Sequence, residues 1–523
     1  MPVAERSRSH RIPEKSGHST PFRARFTGDF AMKKKSPQAD KGVRVSNALL
    51  LVLLFASACF PSTYYVATTG TDGGAGSSSA PFKTIAAGIA KASAGDTVFI
   101  KAGTYSSTTT VSIKASGTAA KRICLMAYPG EARPTLDFSG MACSSGNRGV
   151  VVSGSYWHIK GLIVKGAGDN GMNISGGNNI IEHCDFVENQ DSGLQLGGGA
   201  ANNQIVNCDS YYNHDPDEGD ADGFSPKLDV GSGNFFKGCR SWQNSDDGWD
   251  GYLRGADNVS TRLEECWTFK NGYNKDGTAG SGNGNGFKMG GSDDKDLKHN
   301  FTLVRCLAFQ NRVKGFDQNN NRGSMTLYNC TAFGNGTNYS IDGGSSTLTA
   351  INCIAAGSGS SSLKEGTQTT NNLSAATSNF ESVDPASAMG PRKADGSLPD
   401  IAFMHLKSGS GLIDAGTVIQ GVSYGGSKPD LGCFETGVKV ATLAPASASF
   451  ASFAFPQLRG AENVSLFSLS GKKVMDAGPI GLNFRGNERH FATKGLSAGK
   501  YLCKIARGNS VIRQCIVNSA GFR

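Results

Sequence analysis

An apolar residue, a Cys three positions later and an Asn five beyond that recur six times through the middle of this chain. The instances are Ile181/Cys184/Asn189, Ile205/Cys208/Asn213, Phe236/Cys239/Asn244, Leu263/Cys266/Asn271, Leu303/Cys306/Asn311 and Leu327/Cys330/Asn335. Gly-apolar steps keep the same frame: Gly193-Leu194, Gly223-Phe224, Gly248-Trp249, Gly286-Phe287 and Gly315-Phe316. A repeat of this length cannot bury its own apolar face, so each must be one coil of a solenoid. Short β-type runs broken by Gly and Asn predict a right-handed parallel β-helix, an all-β fold, and not a helical array.

Stacking in register places equivalent positions of neighbouring coils about 4.8 Å apart. Just before each Gly the successive coils carry Ser192, Asp222, Asp247, Asn285 and Lys314, and two positions after it they carry Gln195, Ser225, Asp250, Lys288 and Asp317. Alternation along a strand turns Trp249 and Phe287 inward and Asp250 and Lys288 outward. Asp222, Asp246, Asp247 and Asp250 then converge on one outer patch, with Lys288 beside Asp250.

Four carboxylates so close repel one another unless a cation sits among them, and hard oxygen ligands suit Ca²⁺. Solvated Asp-rich turns and a purely structural Ca²⁺ are the competing readings. Four Asp converging across two coils argue against the first, and Lys288 argues against the second. It follows an insertion, Tyr273 to Gly284, that makes its coil the longest of the central set, and long loops on a regular scaffold tend to carry function. A divalent cation nearby disfavours its ammonium form, which would let it act as a base.

The Asp220-Ala-Asp-Gly-Phe stretch, the Asn244-Ser-Asp-Asp-Gly-Trp-Asp run and Gly286-Phe-Lys resemble the motifs of polysaccharide lyase family 9, the parallel β-helix pectate lyases. The resemblance runs from about Tyr64 to about Glu435 and includes Pro429-Asp-Leu-Gly-Cys-Phe-Glu, where similar proteins more often have Ala at the position of Cys433. It implies that Asp222, Asp246, Asp247 and Asp250 bind a catalytic Ca²⁺ and that Lys288 is the Brønsted base. Lys227, Arg312 and Lys314, on coils flanking the patch, are candidates to pair with substrate carboxylates.

The formal charge of +9 misleads. Residues 1–45 hold 11 Lys/Arg against 4 acidic residues and residues 441–523 hold 11 against 3, which leaves residues 46–440 with 30 Lys/Arg and 36 acidic residues. A nucleic-acid binder would place its basic surplus on the main domain, so that class is excluded. The apolar run Ala48 to Ala58 follows Lys41 and Arg44 and ends Ala56-Ser-Ala, a signal-peptide layout that predicts a secreted or cell-surface protein. Met32, followed by Lys33-Lys34-Lys35, is the expected start of translation, and Cys59 offers lipidation as an alternative to cleavage near Ala58.

Thirteen Cys in an exported chain invite disulfides. The regular Cys column instead predicts small side chains packed inward, and the Asn column a ladder of turn amides bonding one another and the backbone. His158, His183, His214 and His299 share no frame position and read as ordinary polar residues; Trp249 and Trp267 are expected to pack in or against the coils.

Along the chain, residues 1–58 form an upstream extension and signal peptide, 59–440 the β-helix, 441–456 a linker rich in Ala, Ser and Pro, and 457–523 a small β-sandwich-like domain. Tyr64-Tyr-Val starts the first strand, the Pro81 to Ala92 stretch a helix that caps the solenoid edge, and residues 357–435 are expected to keep the solenoid less regularly and to close its C-terminal end. The last domain resembles C-terminal sorting domains of secreted bacterial enzymes, which implies a secretion-machinery partner; its basic surplus would alternatively hold an enzyme on acidic polysaccharide.

Three functions compete: a Ca²⁺-dependent pectate lyase acting as a monomer on polygalacturonate, a lyase or epimerase for another uronate polymer, and a non-catalytic β-helix adhesin. A glycoside hydrolase ranks below these, because it needs a protonated carboxyl opposite a second carboxylate.

Overall fold

Each coil is built from three short strands joined by one two-residue bend and two longer turns, the first of which opens on a second bend. In one coil the strands are Ile180–Glu182, Asp185–Val187 and Leu194–Leu196, and the next begins at Gln204–Val206. In the computed structural model, which describes residues 61–343 and 347–437 and the backbone of strands between 462 and 519, these stack into three parallel sheets of 12, 11 and 10 strands. We call them sheets one, two and three, in the order in which a coil visits them.

The bends explain the frame. The residue before each repeating Cys and the residue before each repeating Asn take a left-handed backbone: His183, Glu265 and Arg305 at the first bend (φ 51°, 55° and 53°), and Glu188, Tyr212, Gln243, Lys270 and Gln310 at the second (φ 53°, 58°, 48°, 53° and 52°). Such a conformation costs roughly 1–2 kcal/mol at a non-glycine residue, so coil stacking, not local preference, imposes it. Behind the second bend the Asn side chains form the expected ladder, with Asn213 Nδ2 donating to Asn244 Oδ1 (2.8 Å), Asn244 to Asn271 (2.9 Å) and Asn271 to Asn311 (2.9 Å). The Cys column from Cys184 to Cys353 is fully buried as free thiols, and Cys239 Sγ lies 3.3 Å from the Ile205 carbonyl of the coil before.

Gly248 shows why glycine recurs in the frame. A Cβ there would lie 2.0 Å from Thr268 Oγ1 and 2.6 Å from the Gly286 carbonyl oxygen, so the coils close only if this position carries no side chain. Beyond it, Phe224, Trp249, Phe287, Phe316 and Tyr339 stack along the core at centroid spacings of 4.8, 5.0, 5.2 and 4.8 Å. At the N-terminal end the helix Ile85–Lys91, capped by Thr84, buries Ile85 and Ile89 against Val66 and Val98. It covers that edge as the sequence pattern predicts.

The C-terminal part departs from expectation. Among the described residues of this part, only Ser360–Leu363, Thr367–Thr369 and Asn372–Ala375 continue the winding. After them the chain does not close the end; it packs back along the outer face of sheet two. There Tyr211, Trp242, Phe269 and Phe309 form an aromatic stack that Phe403 extends at 4.9 Å from Phe309. An apolar stripe of that length needs cover, and Phe380, Phe403, Met404, Leu406 and Leu431 supply it. Arg392 fixes the far end by pairing with Asp209 at 2.6 Å, and Arg240 donates to the Ala388 carbonyl at 2.8 Å.

Near the C-terminus, Glu462–Ser468, Lys473–Ala477, Gly499–Arg507 and Ser510–Ser519 form an antiparallel four-stranded sheet, and Leu482–Arg485 pairs with Glu488–Phe491. The run Ala48 to Ala58, Cys59 and the 441–456 linker lie outside the described residues.

Candidate active site

Sheet three carries the columns at the register expected from the sequence: Gln195 faces Ser225, Asp250 faces Lys288 and Lys288 faces Asp317. Asp222, Asp246 and Asp247 sit in the turns that lead into this sheet; Asp250 and Lys288 end the strands Trp249–Asp250 and Phe287–Lys288. One carboxylate oxygen from each of Asp222, Asp246 and Asp247 lies within 4.8 Å of the others. Lys288 Nζ lies 3.1 Å from Asp247 Oδ2 and 3.5 Å from Asp250 Oδ1.

The patch is outside the apolar core but it is not a solvated surface. Asp222 and Asp247 are 0 % exposed, Asp246 1 %, Asp250 5 % and Lys288 8 %. Backbone and side-chain donors hold the carboxylates. Asp222 Oδ2 accepts from Ser225 Oγ (2.8 Å) and Ser192 Oγ (3.1 Å), and Asp247 Oδ1 accepts the Asn285 amide proton at 2.7 Å. The Tyr273 to Gly284 insertion folds over the cluster: Asn283 donates its backbone N–H to Asp246, and Glu218 anchors the loop through Asn274 Nδ2 (3.0 Å) and Ser281 Oγ (2.9 Å).

Asp247 Oδ2 is buried and makes no aligned hydrogen bond, the Lys288 ammonium at 3.1 Å being the cation that faces it. An anionic oxygen left this way is costly, and a hard divalent cation is the partner that the donor set suits. The residues therefore fit Ca²⁺.

Charge at the site is strongly coupled. Burial, then repulsion from Asp222 and Asp250, pushes the Asp247 carboxyl up to about 7 against the pull of Lys288. Burial and the neighbouring Asp247 hold Asp246 well above the usual carboxylate range, and burial also raises Asp222. Asp250 goes the other way: burial would raise it, but Lys288 and Lys227 outweigh that and hold it below. Burial favours neutral Lys288, yet Asp250, Asp247 and Asp246 outweigh burial and keep it protonated well above the usual lysine range. In this field Lys288 stays an ammonium.

The three candidate substrate contacts separate. Lys227 does not flank the patch as the sequence reading had it; following Pro226 in a turn, it enters the cluster, with Nζ 2.8 Å from Asp222 Oδ2 and 3.6 Å from Asp250 Oδ2. Arg312 reaches under the insertion and donates to the Gly282 carbonyl. Lys314 pairs with Asp317 at 2.9 Å on the wall of a cleft of about 290 Å³ that Gln318, Asn320 and Asp342 also line.

Sequence reasoning missed several groups that shape the site. Ser192 and Ser225 stand in the columns but are silent as residue types. His299 is neutral, its pKa brought down to about 4 by burial, and it holds the Gly251 carbonyl at 2.8 Å directly behind Asp250. Tyr252 places its ring 5.8 Å from Lys288 Nζ and donates to Asp293 at 2.7 Å. The spacing of Tyr252 from Asp250 is a signal available in the sequence; His299 lies on another coil and gives none.

Residues 64–348 match the family model described as Pel9A-like, right handed beta helix region. Pectate lyase L of Dickeya chrysanthemi is 36% identical over 393 residues, covering 71% of this chain and 90% of the relative. Pectate lyase L of Paenibacillus polymyxa (strain SC2) is 39% identical over 360 residues, 63% of this chain and 78% of the relative. Among solved structures, pectate lyase Pel9A superposes with a TM-score of 0.67 at 36% identity, covering 72% of this chain and 96% of that one. A rhamnogalacturonan lyase gives 0.59 at 27% identity, covering 66% and 97%. The chain belongs to the Pel9A-like right-handed β-helix family of pectate lyases, polysaccharide lyase family 9.

Proposed function

We propose that this protein is a Ca²⁺-dependent pectate lyase that cleaves polygalacturonate by β-elimination, with Lys288 as the Brønsted base. The observation that carries this reading is the placement of Lys288 Nζ, 3.1 Å from Asp247 and 3.5 Å from Asp250, beside the buried triad of Asp222, Asp246 and Asp247. Asp222, Asp246, Asp247 and Asp250 would hold the ion. Bound there, Ca²⁺ draws a substrate carboxylate, makes the adjacent C5 proton more acidic and offsets the carboxylate field that keeps Lys288 charged.

Neutral Lys288 accepts the C5 proton. The C5–H electron pair becomes the second bond between C4 and C5 as the C4–O bond breaks, and the departing sugar oxygen takes a proton from water. Asp250, ionised beside Lys288, orients the ammonium that forms. The insertion over Asp246 limits water at the carboxylates, which strengthens every charge interaction there.

The similarity to a rhamnogalacturonan lyase supports a second reading, a lyase for a different uronate polymer on the same scaffold. Incubation with polygalacturonate and, separately, with rhamnogalacturonan, each with and without chelator, distinguishes them. We expect absorbance from an unsaturated product with polygalacturonate, abolished by chelator. Product from rhamnogalacturonan alone would favour the second reading, and none from either would favour a binding protein.

The same proposal includes export directed by the Ala48 to Ala58 run, with cleavage near Ala58 or lipidation at Cys59, and action as a monomer. The C-terminal strands would engage secretion machinery or acidic polysaccharide.

A further inference from the structure

The outer face of sheet three continues beyond the acidic cluster toward the N-terminus, and one polar side chain there, Asn170, is buried without a partner. In the column of Asp250 the preceding coils carry Ser225, Gln195 and Asn173, in register. Gln195 is 8 % exposed. In the column of Asp222 and Asp247, Asn170 stands two coils before Asp222 and is 1 % exposed, and neither its Oδ1 nor its Nδ2 has a partner. A buried amide with no partner at either end is rare in a folded protein and points to a ligand that completes it.

Arg148 stands at the rim of this wall with 36 % of its side chain exposed. Its Nη1 is 3.4 Å from Asn173 Oδ1 and its Nε 3.4 Å from Asp169 Oδ2, both long contacts, so the planar fork is not engaged bidentately. A partly exposed guanidinium beside an unpaired amide matches one chemical class: a sugar acid, with its carboxylate on the fork and its hydroxyls on amides that both donate and accept.

We propose that Arg148, Asn170, Asn173 and Gln195 form a distal subsite for a uronosyl residue of the same polymer chain that is cleaved at Lys288. The proposal rests on the polyuronate reading given above. Coils about 4.8 Å apart place Gln195 about 10 Å and Asn173 about 14 Å from Asp250 along the solenoid axis. A substrate must therefore be several sugars long to touch both places, and the subsite selects for chain length.

The test compares Arg148→Ala and Gln195→Ala with wild type on polygalacturonate, and Arg148→Ala with wild type on a trimer of galacturonate, at saturating Ca²⁺. We expect KM for the polymer to rise about tenfold in each variant while kcat stays within twofold, and KM of Arg148→Ala for the trimer to stay at the wild-type value. Unchanged polymer KM, or equal change on trimer and polymer in Arg148→Ala, would overturn the subsite. If wild type yields no unsaturated product, the lyase reading fails by itself. The subsite is then decided by calorimetric binding of polygalacturonate: tenfold weaker binding by Arg148→Ala upholds it, and unchanged binding overturns it.

Discussion

The Lys288 ammonium lies 3.1 Å from Asp247 Oδ2, a buried oxygen that makes no aligned hydrogen bond. One carboxylate thus serves two partners, the base and the place where a cation would sit. Asp247→Ala is expected to abolish Ca²⁺-dependent product formation and to weaken Ca²⁺ binding more than tenfold, a loss above about 1.4 kcal/mol. The fold should persist, because Asp247 lies outside the apolar core and its removal relieves repulsion from Asp222 and Asp250. Titration calorimetry reports the affinity and circular dichroism the fold; collapse of the dichroism would make the residue structural.

The same carboxyl makes the metal-free protein sensitive to pH. Its folded pKa of about 7 stands above its ordinary 3.8, so between those values the folded state binds more protons than the unfolded one. Stability from this group is whole below about pH 4 and is lost as pH rises through about 7. With chelator present, wild type should lose melting temperature between pH 5 and pH 8 relative to Asp247→Asn, and saturating Ca²⁺ should remove the difference. Parallel melting curves for the two proteins across that range would refute the assignment.

Much of this site was legible in the sequence because stacking fixes lateral neighbours: once Gly248 and Gly286 are aligned, Asp250 must face Lys288. The Cys and Asn columns were legible for the same reason. Lys227 was not, since Pro226 ends its strand and the turn that follows obeys no repeat. Nor were the left-handed bends at Glu188, Tyr212 and Gln243, where packing overrides residue preference. The path of residues 377–437 was hidden by its irregularity, although the outward aromatics of sheet two, Trp242 and Phe269, required a cover from somewhere.

Lys227 is the internal counter-ion of the cluster. Burial opposes its charge, but Asp222, Asp250 and Asp191 outweigh burial and keep it protonated well above the usual lysine range. Lys227→Met leaves Asp222 and Asp250 without that partner, and breaking a buried pair from one side costs about 3–5 kcal/mol. We expect a marked fall in melting temperature without metal and partial recovery on adding Ca²⁺. A variant as stable as wild type in chelator would show that Lys227 is not needed to balance these carboxylates.

The base role proposed for Lys288 requires it to be charged at rest and neutral at the moment of proton transfer, and this sets the expected pH profile. The carboxylates hold its pKa well above the usual lysine range without metal, and bound Ca²⁺ offsets that only in part. Turnover should therefore climb with pH into the alkaline range, as the neutral fraction grows. Lys288→Ala and Lys288→Arg should each lower kcat by about 10²–10⁴, the range assigned to a general base, while both still bind Ca²⁺. Arginine keeps the charge beside Asp247 and Asp250 but stays protonated at any working pH, so it separates base chemistry from charge pairing. If Lys288→Arg turned over near the wild-type rate, or if wild type worked best in acid, the proton would have to leave by another residue.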